Sequence, residues 1–265
     1  MSFSVASYNV LASAYIQRAW YRRTPGLVLD PAWRVPALVQ YVSKLGADMF
    51  CLQEVEPETF VALRTTLGEL GFGGQYTRKL AGRPDGVALF YRRGALELLS
   101  ARSLAYDDGA GVAPDSGYVA LISLLRTRDG ILGVINTHLA WDPPETARGA
   151  QLGLCQARQL LAELESGAAR GARGWIVAGD FNVTPDSEIV ALMEQAGFQY
   201  AHRDLPGVFT CNVGAKARLV DYLFHSANFR AQPPAPTRID DKTILPSADE
   251  PSDHVAIMAT FDWKD

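Results

Sequence analysis

Polar side chains that could hold a metal ion or activate water follow apolar segments along this 265-residue chain. Each stands where a predicted strand gives way to a loop. A folded sheet can bring such strand ends to one rim although they lie far apart in the sequence. Carboxylates, amides and imidazoles without a cysteine favour a hard, oxygen-preferring cation and a phosphate ester. The set comprises Asn9, Glu54, His138, Asp180, Asn182, Asp221, Asp253 and His254.

The segment Gly179-Asp180-Phe181-Asn182 is the most specific local motif. In an extended segment, residues two apart point to the same side, so Asp180 and Asn182 would share a face while Phe181 points into the core. The carboxylate could orient or deprotonate water, and the amide could donate to a phosphoryl oxygen. Taken alone, the motif is explained more simply by an Asp/Asn turn after a buried strand.

Glu54 ends the apolar run that begins at Met49, a position suited to a metal ligand. Because Mg²⁺ usually takes one or two protein carboxylates and keeps several waters, Glu54 with Asn9 nearby could hold it. The alternative interpretation is a favourable negative charge before a helix that begins near Pro57.

The chain has four histidines, and His138 and His254 both stand at predicted strand ends. Asp221 interrupts an apolar strand, where an unpaired buried carboxylate would be costly. We therefore expect Asp221 to pair with His254, to fix the tautomer of the imidazole and to stabilise its protonated form.

Apolar periodicity predicts helices over residues 36–45, from Pro57 to Leu70, and over 154–164 and 187–195. Between the second and third of these helices, four strands follow one another with short connections, which implies antiparallel hairpins. Mixed strands with the helices set apart indicate two mainly antiparallel sheets packed face to face, with helices outside. With neither a linker nor a repeat in the sequence, we expect a single domain over residues 1–265.

Composition constrains the partners of the chain. A net charge of −4 and a pI of about 5.6 give no global positive field toward nucleic acid. We interpret Arg78, Lys79 and Arg83 as solvated loop charges rather than a basic rim.

The sequence has no apolar run of the roughly 18 residues that a spanning helix needs, so we expect no membrane insertion and a cytoplasmic location. No obligate protein partner is evident.

Seven short motifs occur along the chain in one order: Ser7-Tyr8-Asn9-Val10-Leu11, Leu52-Gln53-Glu54-Val55, Asp85-Gly86-Val87-Ala88-Leu89-Phe90-Tyr91, Thr137-His138-Leu139, Gly179-Asp180-Phe181-Asn182, Val220-Asp221-Tyr222 and Ser252-Asp253-His254. In this order they resemble the endonuclease/exonuclease/phosphatase superfamily. The resemblance implies a four-layer α/β sandwich with a Mg²⁺-dependent site at one end, at which Mn²⁺ is expected to substitute.

A finer resemblance is to the branch of the deadenylases, nocturnin, the Angel proteins and 2′-phosphodiesterase. Its marks are Trp141-Asp142-Pro143, Arg148, Gln151 and Leu245-Pro246. In the deadenylases, a proline five residues after the family histidine and an aromatic five residues before the DY aspartate help to hold an adenine. Pro143 fits the first position, whereas Lys216 occupies the second, which weakens a poly(A)-specific interpretation. Pro143, Arg148 and Lys216 are the predicted substrate contacts.

The sequence thus predicts a Mg²⁺-dependent phosphoesterase that acts on RNA or a nucleotide at a 3′ or 2′ end. A small-molecule phosphatase is the rival interpretation, and a silent binding module with this fold is a third. We expect Glu54 to hold the metal, with Asn9 close by and Asp253 in support. Asp180 is expected to activate water, while Asn182 and His138 stabilise charge on the phosphoryl oxygens. The Asp221–His254 pair is expected to contact the phosphoryl group.

Overall fold

Two six-stranded sheets pack against each other in the computed structural model, which describes residues 2–109, 116–166 and 171–264. In spatial order, the first sheet contains β13 (Phe229–Gln232), β14 (Ile257–Trp263), β1 (Phe3–Asn9), β2 (Met49–Val55), β4 (Gly86–Arg92) and β3 (Phe72–Arg78). The second sheet contains β5 (Glu97–Ala105), β6 (Val119–Thr127), β7 (Gly130–His138), β8 (Gly174–Asp180), β12 (Asp221–His225) and β9 (Gln199–Tyr200). Strands β10 (Cys211–Asn212) and β11 (Ala217–Arg218) form a separate antiparallel pair.

The helices cover the outer faces of the two sheets, as the sequence predicted. Along β2, Met49 and Cys51 face the core between the sheets, and Phe50 and Leu52 face the first helical layer, because successive side chains of a strand alternate. The result is a four-layer α/β sandwich. Helices α1 (Pro31–Lys44) and α2 (Pro57–Glu69) pack on the first sheet, α3 (Leu152–Glu165) and α4 (Glu188–Gln195) pack on the second, and short 3-10 turns cover Ser13–Tyr15, Gly26–Leu29 and Arg148–Ala150.

Each sheet has one parallel pair at its centre, β1 with β2 and β7 with β8, and its other pairings are antiparallel. Strand β1 contacts β8 across the interface, and β2 contacts β7. The carboxyl ends of these four strands therefore meet at one rim of the sandwich. Strand β12 begins at the same rim, because Asp221 pairs with Asp180 in the antiparallel register.

The first helix begins earlier than the predicted 36–45. The Asp30 side chain accepts a hydrogen bond from the Ala32 N–H at 2.9 Å, and Pro31 stands in the first turn. This Asp-Pro cap sets the start of α1, and Pro36 lies inside the helix at the cost of one backbone donor. The predicted start was wrong because the cap was overlooked.

Strand β3 was not predicted, since Gly73 and Gly74 give it a poor strand composition. The Tyr91 side chain lies across Gly73, where a Cβ would come within 2.4 Å of the ring. An aromatic residue on β4 thus takes the space that a side chain on β3 would need. Among the helices of the described residues, none has the length and apolar character required to span a bilayer.

Asn136, which is buried on β7, forms hydrogen bonds between the second sheet and the first. Its amide donates to the carbonyls of Leu52 at 3.0 Å and Ala88 at 2.8 Å, and its oxygen accepts from Gln53 Nε2 at 2.8 Å. The register between β2 and β4 shifts just after Leu52, as in a β-bulge. Asn136 therefore bonds to strand carbonyls at an irregularity in the ladder.

We predict that Asn136→Ala destabilises the protein by at least about 2 kcal/mol, because it leaves buried polar groups without partners. Urea unfolding of the variant and the unmodified chain measures the loss. Asn228→Ala is the control: that side chain is exposed and accepts from Ser226 Oγ, so its loss should cost less than about 0.5 kcal/mol. Equal losses for the two variants would show that Asn136 does not hold the sheets together.

Candidate active site

Asn9 joins carboxylates from the two sheets. Its Nδ2 donates to Glu54 Oε1 at 3.1 Å and to Asp180 Oδ2 at 3.0 Å. Its Oδ1 accepts from the Leu11 N–H at 3.0 Å, which fixes the orientation of the amide. The carboxyl ends of β1, β2 and β8 therefore share one hydrogen-bonded cluster.

Glu54 has a left-handed backbone, with φ of 56°, beside the irregularity in β2. Its second oxygen accepts from the Ala12 N–H at 2.9 Å. Burial raises the pKa of Glu54, and the charge of Lys79 opposes this rise. Both carboxylate oxygens accept hydrogen bonds from Asn9 and Ala12, so Glu54 belongs to the cluster at the strand ends rather than acting only as a charge before α2. Its role as a metal ligand stays a prediction.

Asp180 ends β8 where the two parallel strands approach closely. Gly179 has φ of 149°, and a Cβ there would lie 1.9 Å from the Thr137 carbonyl oxygen, so β8 needs glycine beside β7. Asn182 has φ of 55° rather than the extended backbone expected, and its N–H donates to Asp180 Oδ1 at 2.8 Å. Phe181 is fully buried, as predicted. The segment forms an Asx turn, and that turn brings Asp180 and Asn182 to the same cleft.

His254 and Asp221 form the expected pair. His254 Nδ1 lies 2.8 Å from Asp221 Oδ2, and His254 Nε2 lies 3.8 Å from Asp180 Oδ2. Burial alone would lower the pKa of His254, but Asp221 raises it well above its usual value. The imidazole is thus held as a cation between two carboxylates. Burial, with Asp221 adding to it, raises the pKa of Asp180, and His254 opposes this shift.

His138 ends β7 opposite Asp180 in the parallel register. Its Nδ1 lies 3.3 Å from Lys79 Nζ, and its Nε2 lies 3.1 Å from Asn182 Nδ2. Burial and the charge of Lys79 hold the pKa of His138 well below its usual value. The two histidines of the site therefore differ: His254 is charged and His138 is neutral.

Lys79 corrects the prediction of a solvated loop charge. It is 3% exposed, and its ammonium forms an ion pair with Asp85 at 2.8 Å. Tyr15 Oη donates to the other oxygen of Asp85 at 2.7 Å. Arg78 is exposed, as predicted, whereas Arg83 is half-buried over the Tyr118 ring.

Arg34 is a second residue that the sequence did not single out. It is buried on α1 and donates to the Val10 carbonyl at 2.9 Å and to Ser13 Oγ at 2.7 Å. These bonds hold the loop after β1, from which Ala12 donates to Glu54. The chain around Arg34 carries no motif that could have revealed this role.

Asp253 lies in the same cleft and accepts from Tyr21 Oη at 2.6 Å. The neighbouring Ser252 Oγ donates to the Asn9 carbonyl at 2.7 Å. The Ser252-Asp253-His254 segment is thereby tied to the end of β1. All eight residues predicted from strand ends lie in this hydrogen-bonded region, although their chemical roles stay predictions.

The cleft above these residues has a volume of about 760 Å³. Trp20 and Trp141 line it with 51% and 56% of their surface exposed, and Lys216 and Arg218 contribute exposed cations. Of the other predicted substrate contacts, Pro143 and Arg148 lie outside the lining residues.

Arg148 is exposed and forms a bidentate pair with Glu188, in which its Nε lies 2.8 Å from the carboxylate. Trp141 and Trp20 are residues that the predicted substrate contacts missed. The signal for Trp141 was its place in the Trp141-Asp142-Pro143 motif.

The residues fit a hard divalent cation. One ligand atom each from Asp180, Asp221 and His254 lies within 4.8 Å of the others, and Glu54 adds a further buried carboxylate. Within the described part of the chain, Asp221 Oδ1 is buried without a hydrogen-bond partner. A donor set dominated by carboxylate oxygens is what Mg²⁺ and Mn²⁺ prefer. Because His254 is held as a cation by Asp221 and an imidazolium has no lone pair for a metal, Glu54 is the better candidate for direct coordination.

Known proteins share this sequence pattern and fold. A model of the Endonuclease/Exonuclease/phosphatase family matches residues 6–254. Carbon catabolite repressor protein 4 homolog 4 of Arabidopsis thaliana is 27% identical over 98% of this chain and 77% of its own length. Protein angel homolog 2 of Homo sapiens is 29% identical over 75% of this chain but 38% of its own length. The crystal structure of ANGEL2, described as a 2′,3′-cyclic phosphatase, superimposes with a TM-score of 0.85 at 23% identity, covering 98% of this chain and 95% of that chain.

We predict that Asp221 and His254 act as one unit. His254→Ala should lower the rate of phosphoester hydrolysis by about 10²-fold or more, and Asp221→Asn should cost a similar factor because it removes the charge that holds the imidazolium. The double variant should lose little more than either single variant. Steady-state rates of all four proteins complete the cycle, and fully additive losses would contradict the coupled pair.

Proposed function

The chain belongs to the endonuclease/exonuclease/phosphatase family of phosphoesterases, in the branch of the CCR4 and Angel proteins, and on that premise we propose that it hydrolyses a phosphoester at the 3′ or 2′ end of RNA or a nucleotide with the help of a divalent cation. A 2′,3′-cyclic phosphate is the first substrate to test, since the crystal structure with a TM-score of 0.85 is that of a protein described as a 2′,3′-cyclic phosphatase. The observation that carries the proposal is the Glu54–Asn9–Asp180 cluster at the base of a tryptophan-lined cleft.

Glu54 would hold Mg²⁺ or Mn²⁺, with Asn9 and Asp253 in support. When bound, the cation would polarise a phosphoryl oxygen and offset the charge that develops in the transition state. The protein residues have the remaining tasks: they position the ester, activate water and donate hydrogen bonds, so the reaction needs no covalent intermediate.

Asp180 is the proposed base. Its carboxylate is buried and held by Asn9, and burial raises its pKa toward the range in which proton transfer from water is efficient. As water attacks phosphorus, its proton passes to Asp180, one bridging P–O bond breaks, and the departing sugar oxygen takes up a proton from solvent. Asn182 and His138 would donate to phosphoryl oxygens on one side, and the cationic His254 would face the phosphoryl group on the other.

The cleft favours a nucleotide over a small apolar substrate. Exposed indole rings such as Trp20 and Trp141 can stack on bases, which contributes about 1–3 kcal/mol per base. Lys216 and Arg218 place two cations beside the cleft in a chain whose net charge is −4. We propose that they meet the phosphates of an RNA end. Arg148 would have to leave Glu188 to contribute.

A closed pocket would have favoured the rival small-molecule phosphatase, and the open cleft with its two exposed tryptophans therefore supports the RNA or nucleotide substrate. The cytoplasmic location rests on the sequence and stays a prediction. So does the expectation that no obligate protein partner is required, although one relative, from Yarrowia lipolytica, is a CCR4-Not complex subunit.

We predict that hydrolysis requires a divalent cation. Short RNAs ending in a 2′,3′-cyclic phosphate, a 3′-phosphate or a 3′-hydroxyl, together with a dinucleotide and an inositol phosphate, should be assayed with Mg²⁺, with Mn²⁺ and with EDTA. Activity on at least one RNA end should vanish in EDTA and return with Mg²⁺. Glu54→Gln should lower turnover and raise the Mg²⁺ concentration needed for half-maximal activity, while circular dichroism stays native. Full activity in EDTA would exclude the metal-dependent mechanism.

We also predict little preference for adenine, because Lys216 stands where the deadenylases carry a stacking aromatic. Initial rates on matched oligo(A), oligo(U) and oligo(C) at one ionic strength should agree within about tenfold. Lys216→Phe should raise the relative rate on oligo(A), and Arg218→Ala, which removes a neighbouring cation without adding a ring, is the control. A preference above tenfold for oligo(A) in the unmodified protein would show that another side chain supplies the stack.

A further inference from the structure

His138 lies between two hydrogen-bond donors. Lys79 Nζ is 3.3 Å from Nδ1, and Asn182 Nδ2 is 3.1 Å from Nε2. An ammonium has donors only, and the Asn182 nitrogen is identified as the donor end of the amide because the Leu139 carbonyl accepts from it at 2.9 Å. A neutral imidazole has one acceptor nitrogen, so His138 can satisfy one of these donors and not both.

Lys79 is the donor that cannot turn away. Its ammonium is buried, is held by Asp85 at 2.8 Å and lies 4.6 Å from the centre of the Tyr118 ring. Hydrogen bonds from a charged donor are also stronger than those from an amide. A doubly protonated His138 would set two cations side by side in a buried position. The Nδ1 atom therefore accepts from Lys79, and the ring proton is on Nε2.

The proton on Nε2 then faces Asn182 Nδ2 across 3.1 Å, and the Asp180 carboxylate oxygen Oδ2 lies 3.7 Å from Nε2, beyond hydrogen-bond distance. Two donors therefore point into the same small space. This arrangement is unfavourable unless one acceptor with more than one lone pair lies beside the two nitrogens and accepts from both. A non-bridging phosphoryl oxygen is such an acceptor, and both His138 and Asn182 line the cleft. Lys79 does not line the cleft, so it would not touch a substrate there, and its contact with the donor pair is through His138.

We propose that Lys79 is a positioning residue that holds His138 in the Nε2–H tautomer, so that His138 Nε2–H and Asn182 Nδ2–H form a paired donor site for one phosphoryl oxygen. The identity of that oxygen rests on the proposed phosphoesterase function, whereas the tautomer does not. A preorganised donor of this kind can contribute about 10²–10³-fold to turnover.

The tautomer can be read directly by ¹⁵N NMR of the full chain labelled at histidine. The chain has four histidines, and the His138 signals are identified by their absence from His138→Gln. We expect Nδ1 to resonate as a non-protonated nitrogen and Nε2 as a protonated one. A proton on Nδ1, or on both nitrogens, would overturn the proposal. This measurement needs neither substrate nor metal, so inactivity on every phosphoester would defeat the proposed function and leave the tautomer result in place.

Variants test the role of Lys79. Lys79→Met removes the donor and the charge but keeps an unbranched side chain, and we expect the Nε2–H tautomer to lose its dominance and kcat to fall about 10–10²-fold, with KM changed less than about threefold. Lys79→Arg restores a charged donor and should recover the tautomer and part of kcat. Arg78→Met is the matched control, since it changes the net charge equally at an exposed neighbour. Retention of the Nε2–H tautomer and of full kcat in Lys79→Met would contradict the proposal. If that variant does not fold, the spectrum of the unmodified chain decides.

Discussion

The burial of several carboxylates at one rim is the constraint on which the site depends. An isolated buried carboxylate is costly, so each needs a partner. Asp221 has the His254 imidazolium, and Asp85 has the Lys79 ammonium. Among the described residues no cation lies within ion-pair distance of Glu54, whose partners are the neutral donors Asn9 and Ala12. An added divalent cation at Glu54 would thus offset a buried charge that has no cationic side chain beside it.

The same constraint explains the unusual backbone of the site. Glu54 and Asn182 both have positive φ, a backbone conformation that asparagine tolerates and that costs a glutamate about 1–3 kcal/mol. Glu54 is fixed by Ala12 and Asn9, and Asn182 by the Leu139 carbonyl. Both residues lie where the Glu54 carboxylate and the Asn182 amide turn from the ends of β2 and β8 into the cleft.

Much of the site was predictable from the sequence because strand ends carry a strong signal. Apolar runs located the ends of β1, β2, β7 and β8, and parallel pairing at the centre of each sheet brings those ends together. The Asp221–His254 pair followed from the cost of a buried carboxylate. The helices outside two sheets followed from periodicity, apart from the start of α1, where the Asp30 cap decides.

Other features depend on contacts that no local pattern contains. Lys79 stands in Arg78-Lys79-Leu80-Ala81-Gly82-Arg83, which has the composition of a solvated loop, and its burial comes from Asp85 and the Tyr118 ring. Arg34 is likewise buried by backbone carbonyls distant in sequence. The cleft tryptophans were missed because neither belongs to a strand end. Tertiary partners, rather than propensity, determine these positions.

We propose that Asp180 activates water at a cluster shared by the two sheets, and the Asp180→Asn variant tests this role. This variant keeps the size of the side chain and removes its basicity. Single-turnover hydrolysis and equilibrium binding of the same RNA end should be measured on the variant and the unmodified chain at saturating Mg²⁺. We predict that the rate of the chemical step falls by about 10²–10⁴-fold while Kd changes less than about threefold. An unchanged chemical step with weakened binding would show that Asp180 positions the substrate and that the base lies elsewhere.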